Sequence, residues 1–114
     1  MIWLSISAVM MAITAVIHSV AGEKRLIGPI LAKNVIPSAL GGRVLRSAWH
    51  LTSLFMLSNA LAMIWPGTPS GLHLAIGIFW LLIGLFSLTS SRGKHVGWPT
   101  LTAAGIAAII GATS

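Results

Sequence analysis

Few side chains in this sequence can move protons or hold a ligand: four histidines, one acid (Glu23) and seven lysines and arginines, with no cysteine and no tyrosine. They are not scattered. His18 stands five residues before Glu23, and His50 stands four after Arg46, itself three after Arg43. His95 follows Arg92 and Lys94 in a second basic stretch. Imidazole titrates near neutrality and binds metal or haem iron through a ring nitrogen. Guanidinium grips a carboxylate or phosphate with two parallel hydrogen bonds. The candidate ligand-binding set is therefore His18, His50, Glu23, Arg46, Arg43 and His95.

Three chemistries fit those types. A b-type haem would sit between His18 and His50, with Arg25, Arg43 and Arg46 where its propionates emerge. A divalent metal would take His18, His50, His95 and Glu23, since imidazole suits several transition metals. A phosphate or carboxylate would rest on the arginines, with histidine as general base. No nucleophile–base–acid set is expected. Ser19 adjoins His18, but successive helical side chains diverge by about 100°.

Positioning these residues falls to four apolar stretches, about 2–21, 44–65, 71–88 and 99–112. Hydrophobic residues make up 56% of the 114 and charged ones 7%. A soluble domain carries about 25% charged residues, so too little polar surface is present to cover a globule. The predicted fold is a single all-α domain, an integral membrane bundle of four transmembrane helices. Spans need about 20 residues; the first three stretches fit, and the fourth is short. The formal charge of +6 reflects the near absence of acids, so nucleic acid is not an expected partner.

Charge placement sets the predicted topology. Lys24, Arg25, Lys33, Arg43 and Arg46 lie between stretches one and two or at their exit, and Arg92 and Lys94 lie between three and four. The termini and the middle turn Pro66-Gly67-Thr68-Pro69-Ser70 carry no lysine or arginine. Lysine and arginine are retained on the cytoplasmic side, which puts both termini outside. No basic segment precedes the first apolar run, so it reads as a retained helix and not a signal peptide. Lys24, Arg25, Lys33, Arg92 and Lys94 are then candidate contacts for anionic lipid phosphates. The segment 23–43, broken by Pro29 and Pro37, suits the headgroup layer.

Helix faces point to close packing. His73, Gly77, Trp80, Gly84, Ser87 and Ser91 form one stripe, and Ala104, Gly105, Ala108, Gly111 and Ala112 supply small faces. Small residues let helices approach in lipid. His73 reads as an outer interfacial residue, solvated or hydrogen-bonded.

The strings His18-Ser19-Val20-Ala21-Gly22-Glu23, Leu26-Ile27-Gly28-Pro29 and Arg46-Ser47-Ala48-Trp49-His50-Leu51-Thr52 resemble a group of small four-helix bacterial inner-membrane proteins with no assigned activity. The resemblance covers roughly the first half of the chain. It implies multi-pass residence in the inner membrane and no particular reaction.

Function is read three ways from these residues. The first is an accessory or assembly subunit packed against a larger membrane complex, or a homo-oligomer, and more a binding protein than an enzyme. The second is the haem b or metal protein described above. The third is a lipid-headgroup enzyme or small-molecule transporter.

Overall fold

The computed structural model describes residues 2–114, and they are all-α. The elements are α1 (Ile2–Gly22), a π-helical turn (Glu23–Ile27), α2 (Gly28–Ala32), α3 (Ala39–Ile64), α4 (Ser70–Ser91) and α5 (Trp98–Thr113). The four long helices contain the four apolar stretches except for Trp65, which is extended and follows the end of α3.

The first connection differs most from expectation. Pro29 does not break the helix. In a regular helix a proline ring collides with the carbonyl four residues earlier. Here that carbonyl belongs to Arg25, inside the wider π turn, where the Gly28 N–H reaches back five residues to the Glu23 carbonyl. The helix therefore runs on to Ala32. Pro37 does mark a boundary. Ser38 is extended, its Oγ accepts from the Gly41 N–H at 2.9 Å, and α3 begins at Ala39, ahead of the expected residue 44. At the far end of α4, Arg92 (φ 54°) and Gly93 (φ 80°) turn the chain through left-handed conformations.

By length and composition, two helical stretches can cross a membrane: Ile2–Ala32 and Ser70–Ser91. The expected bundle has four spans, so two of them, α3 and α5, fall outside that test. The 26-residue α3 is long enough, but Arg43, Arg46, His50, Ser53, Ser58 and Asn59 dilute its apolar character. The 16-residue α5 is apolar and short.

The long helices stand in an antiparallel row, α3–α1–α5–α4, with extents of 50 × 31 × 17 Å. α1 packs on α3 and α5, and α5 packs on α4. Contact between α3 and α4 is slight; it includes His73 Nε2 donating to the Ala62 carbonyl at 3.0 Å, near their shared turn. His73 is buried there and satisfies one of the carbonyls that a helix end leaves free. The core, with Leu4, Met11, Met63, Trp80 and Ala108, lies mainly in the half of the row nearest that turn.

Small residues set the helix spacing. A Cβ on Gly105 would lie 2.5 Å from the Leu81 nitrogen and 2.7 Å from the Gly77 carbonyl oxygen, so α4 and α5 touch backbone to backbone. The α4 stripe found in the sequence is that helix's buried face: His73, Gly77, Trp80 and Gly84 are all buried. Between α1 and α5, Ser7 Oγ donates to the Ala104 carbonyl at 2.8 Å, and Thr14 and Thr100 hydroxyls meet at 2.7 Å.

Candidate functional site between α1 and α3

Ser19 near the end of α1 and Glu23 at the start of the π turn that continues it are four residues apart and share a face; on α3, Arg46, His50 and Ser53 share one by spacings of four and three. The two faces meet. Arg46 Nε and one terminal nitrogen donate to Glu23 Oε1 and Oε2 at 2.8 and 3.0 Å, a two-pronged ion pair. His50 Nε2 lies 3.1 Å from Glu23 Oε1, and His50 Nδ1 lies 3.0 Å from Ser19 Oγ. Ser19 Oγ is 2.6 Å from the buried Ser53 hydroxyl. The result is one connected chain, Arg46–Glu23–His50–Ser19–Ser53, crossing two helices.

Protonation fixes the sense of that chain. Hydrogen bonds from Arg46 and then His50 hold the Glu23 carboxyl down at about 2, so it is ionised at neutral pH. An ionised carboxylate only accepts, so His50 Nε2 carries a proton and donates. With a neutral imidazole, Nδ1 is the acceptor, and the Ser19 hydroxyl lies between it and the Ser53 hydroxyl. Arg46 and Glu23 cancel in charge, so Arg46 is not a free anion ligand.

His18 faces elsewhere. Its ring stacks on Trp49 with centroids 4.2 Å apart and planes 7° from parallel. Its Nε2 donates to the Trp49 carbonyl at 3.2 Å, and Trp49 Nε1 donates to the His18 carbonyl at 2.7 Å. Gly22 makes room: a Cβ there would fall on the indole.

Three cavities surround the interface. A groove of about 480 Å³ between α1 and α3 is walled by Ala15, Val16, Val20, Leu51, Leu54 and Leu57, with Ser19, Ser47, His50 and Ser53 as its polar members. A smaller one of about 270 Å³ is lined by His18, Trp49, Arg25 and His95 among others. A third, about 600 Å³, holds Arg43 and Arg46 beside Asn34 and Ser38. Lys24, Arg25, Lys33, Arg92 and Lys94 are exposed at the same end of the row. Among the described residues none of these five is in an ion pair.

The structure thus brings together His50, Glu23 and Arg46, and separates them from His18 and His95. A bis-histidine haem does not fit this arrangement. His18 and His50 line different cavities, His18 has Nε2 on the Trp49 carbonyl, and both His50 nitrogens are engaged. Nor do three or more His or Glu side chains converge as a metal set among the described residues. In the sequence, Ser19 is set aside on its angle to His18, and Trp49 and Ser53 are given no part in the site. Their signal was the i, i+4 pair Ser19/Glu23, which places Ser19, not His18, on the face of the acid.

Fold and site define an all-α protein of four long helices with a polar chain set between two of them beside an apolar groove. No family model matches the chain, and no curated protein or solved structure matches it.

Proposed function

We propose that this is a multi-pass integral membrane protein that binds a lipid-like amphiphile between α1 and α3. The acyl chain lies in the groove and its polar part meets Ser19 and His50. The single observation that carries the reading is the groove itself: an open apolar surface groove whose only polar members are three serines and His50. Apolar walls suit a hydrocarbon chain, and a few convergent polar groups orient the rest.

Membrane residence draws support from the surface. Phe55, Phe79 and Phe86 are 63%, 62% and 71% exposed, an arrangement that water penalises at about 25 cal/mol per Å² of apolar area. α3 is about 39 Å long at ~1.5 Å per residue, ample for a hydrocarbon core of about 30 Å. α5, about 24 Å by the same rise, spans by thinning the bilayer locally. The basic connections face the cytoplasm, in the inner membrane of a bacterium. Arg43, Lys24, Arg25, Lys33, Arg92 and Lys94 meet anionic headgroups there. Native mass spectrometry of protein released from mild detergent tests the reading. One retained amphiphile per chain supports it, and a bare folded chain contradicts it.

The open row favours a second reading, an accessory subunit in a larger membrane complex. α3 and α4 part beyond their shared turn, leaving both flanks free for a partner helix. Co-purification from native membranes tests it, with a lone monodisperse chain as the opposing outcome.

A further inference from the structure

We propose that Ser19 is a nucleophile, activated by His50 and Glu23, that takes the acyl group from a lipid ester lying in the α1–α3 groove. The inference rests on the amphiphile-binding reading and adds a reaction to it. Its ground is geometric. Ser19 Oγ is 3.0 Å from His50 Nδ1, and the other ring nitrogen is 3.1 Å from Glu23 Oε1. A hydroxyl, a base and an orienting acid within hydrogen-bond reach are what nucleophilic acyl transfer needs, and geometry identifies the set whatever its chain order. Here the imidazole is turned so that Nδ1 meets the hydroxyl.

Each member has a defined part. Glu23 accepts from Nε2–H, which leaves the Nδ1 lone pair toward Ser19, and it stabilises the imidazolium once formed. Arg46 fixes Glu23 with two bonds, one of them to the Oε1 that His50 meets, and is a positioning residue. Ser19 Oγ attacks the ester carbonyl carbon as its proton passes to Nδ1. The tetrahedral adduct collapses, the carbon–oxygen bond to the alcohol breaks, and that oxygen leaves with the Nδ1 proton. Water then attacks the acyl-Ser19 carbonyl and gives a proton to His50. The free acid departs, and the proton returns to Ser19.

No backbone donor is free to meet charge on the carbonyl oxygen. Backbone N–H groups around Ser19 and His50 are spent within α1 and α3, which are continuous helices there. The Ser53 hydroxyl, 2.6 Å from Ser19 Oγ, is the nearest polar group. Without backbone donors an acyl-transfer site loses one of its largest rate terms, so slow turnover is expected and stoichiometric labelling is the better readout.

An alkyl fluorophosphonate tests this on the full chain in mild detergent. Ser19 Oγ displaces fluoride from phosphorus, His50 takes the proton, and the alkyl chain occupies the groove. Peptide mass spectrometry should place the adduct on Ser19. Ser19→Ala should abolish it, and His50→Gln should slow it about a hundredfold or more. Bound amphiphile is read by native mass spectrometry on the same wild-type preparation, which separates loss of binding from loss of reactivity. No Ser19 adduct on wild-type protein that still retains amphiphile overturns the nucleophile and leaves the binding reading intact. No adduct together with a bare folded chain overturns both. An adduct on another residue, or one on Ser19 that forms equally fast in His50→Gln, also overturns the assignment.

Discussion

Trp49 and His18 hold each other twice: the rings stack 4.2 Å apart, and each donates a hydrogen bond to the other's carbonyl, at 2.7 and 3.2 Å. This clasp sets the register of α3 on α1. One residue further along each helix, the same register delivers His50 to Ser19. Because Gly22 leaves the space for the indole, a methyl group there cannot be absorbed without moving it. Gly22→Ala should destabilise the protein by about 1–3 kcal/mol, the usual range for overpacking. Thermal unfolding in detergent would show it, and the fluorophosphonate rate should fall with it.

Glu23 makes stability depend on acid. Its folded value of about 2 lies below the ordinary 4.5, so the unfolded chain binds the proton more readily. The contribution is complete above 4.5 and is lost as pH falls toward 2. Melting temperature measured from pH 6 down to pH 2.5 should drop in the wild type. Glu23→Gln should lack that part of the decline, being already weakened at pH 6. Parallel curves for the two proteins would contradict the ion pair.

Two glycines of the α4–α5 hairpin should respond oppositely to the same methyl group. At Gly105 it meets backbone at 2.5 Å, whereas at Gly71 nothing lies within 4 Å. Gly105→Ala should cost about 1–3 kcal/mol. Gly71→Ala should be neutral, or stabilising by up to about 1 kcal/mol through lost backbone entropy. Thermal melts of both variants under one condition decide this.

His73 is structural on this account. His73→Ala removes the bond to the Ala62 carbonyl and leaves that carbonyl and a small void, a loss of about 1–3 kcal/mol. Amphiphile retention and Ser19 labelling should remain within twofold of wild type. A selective loss of either would place His73 in the site.

Much of this was legible in the sequence, for identifiable reasons. The long helices declare themselves through continuous apolar stretches, and the buried stripe His73, Gly77, Trp80 and Gly84 is visible because helical spacing alone defines a face. The passage from Glu23 to Ala32 was hidden, since a π turn has no composition of its own and Pro29 signals a break. The pairing of His50 with Ser19, not with His18, was hidden too. It depends on the rotation of α1 about its axis, which Trp49 sets by stacking on His18, and rotation is a property of two packed faces.

The central claim is that the α1–α3 groove, and not the general apolar surface, holds an amphiphile. A lipid bearing a photoactivatable group in its acyl chain, cross-linked to the protein in vesicles, tests it directly. The account predicts adducts concentrated on Val16, Leu54 and Leu57, which line the groove. Adducts spread evenly over these and the exposed Phe79 and Phe86 of α4 would contradict it.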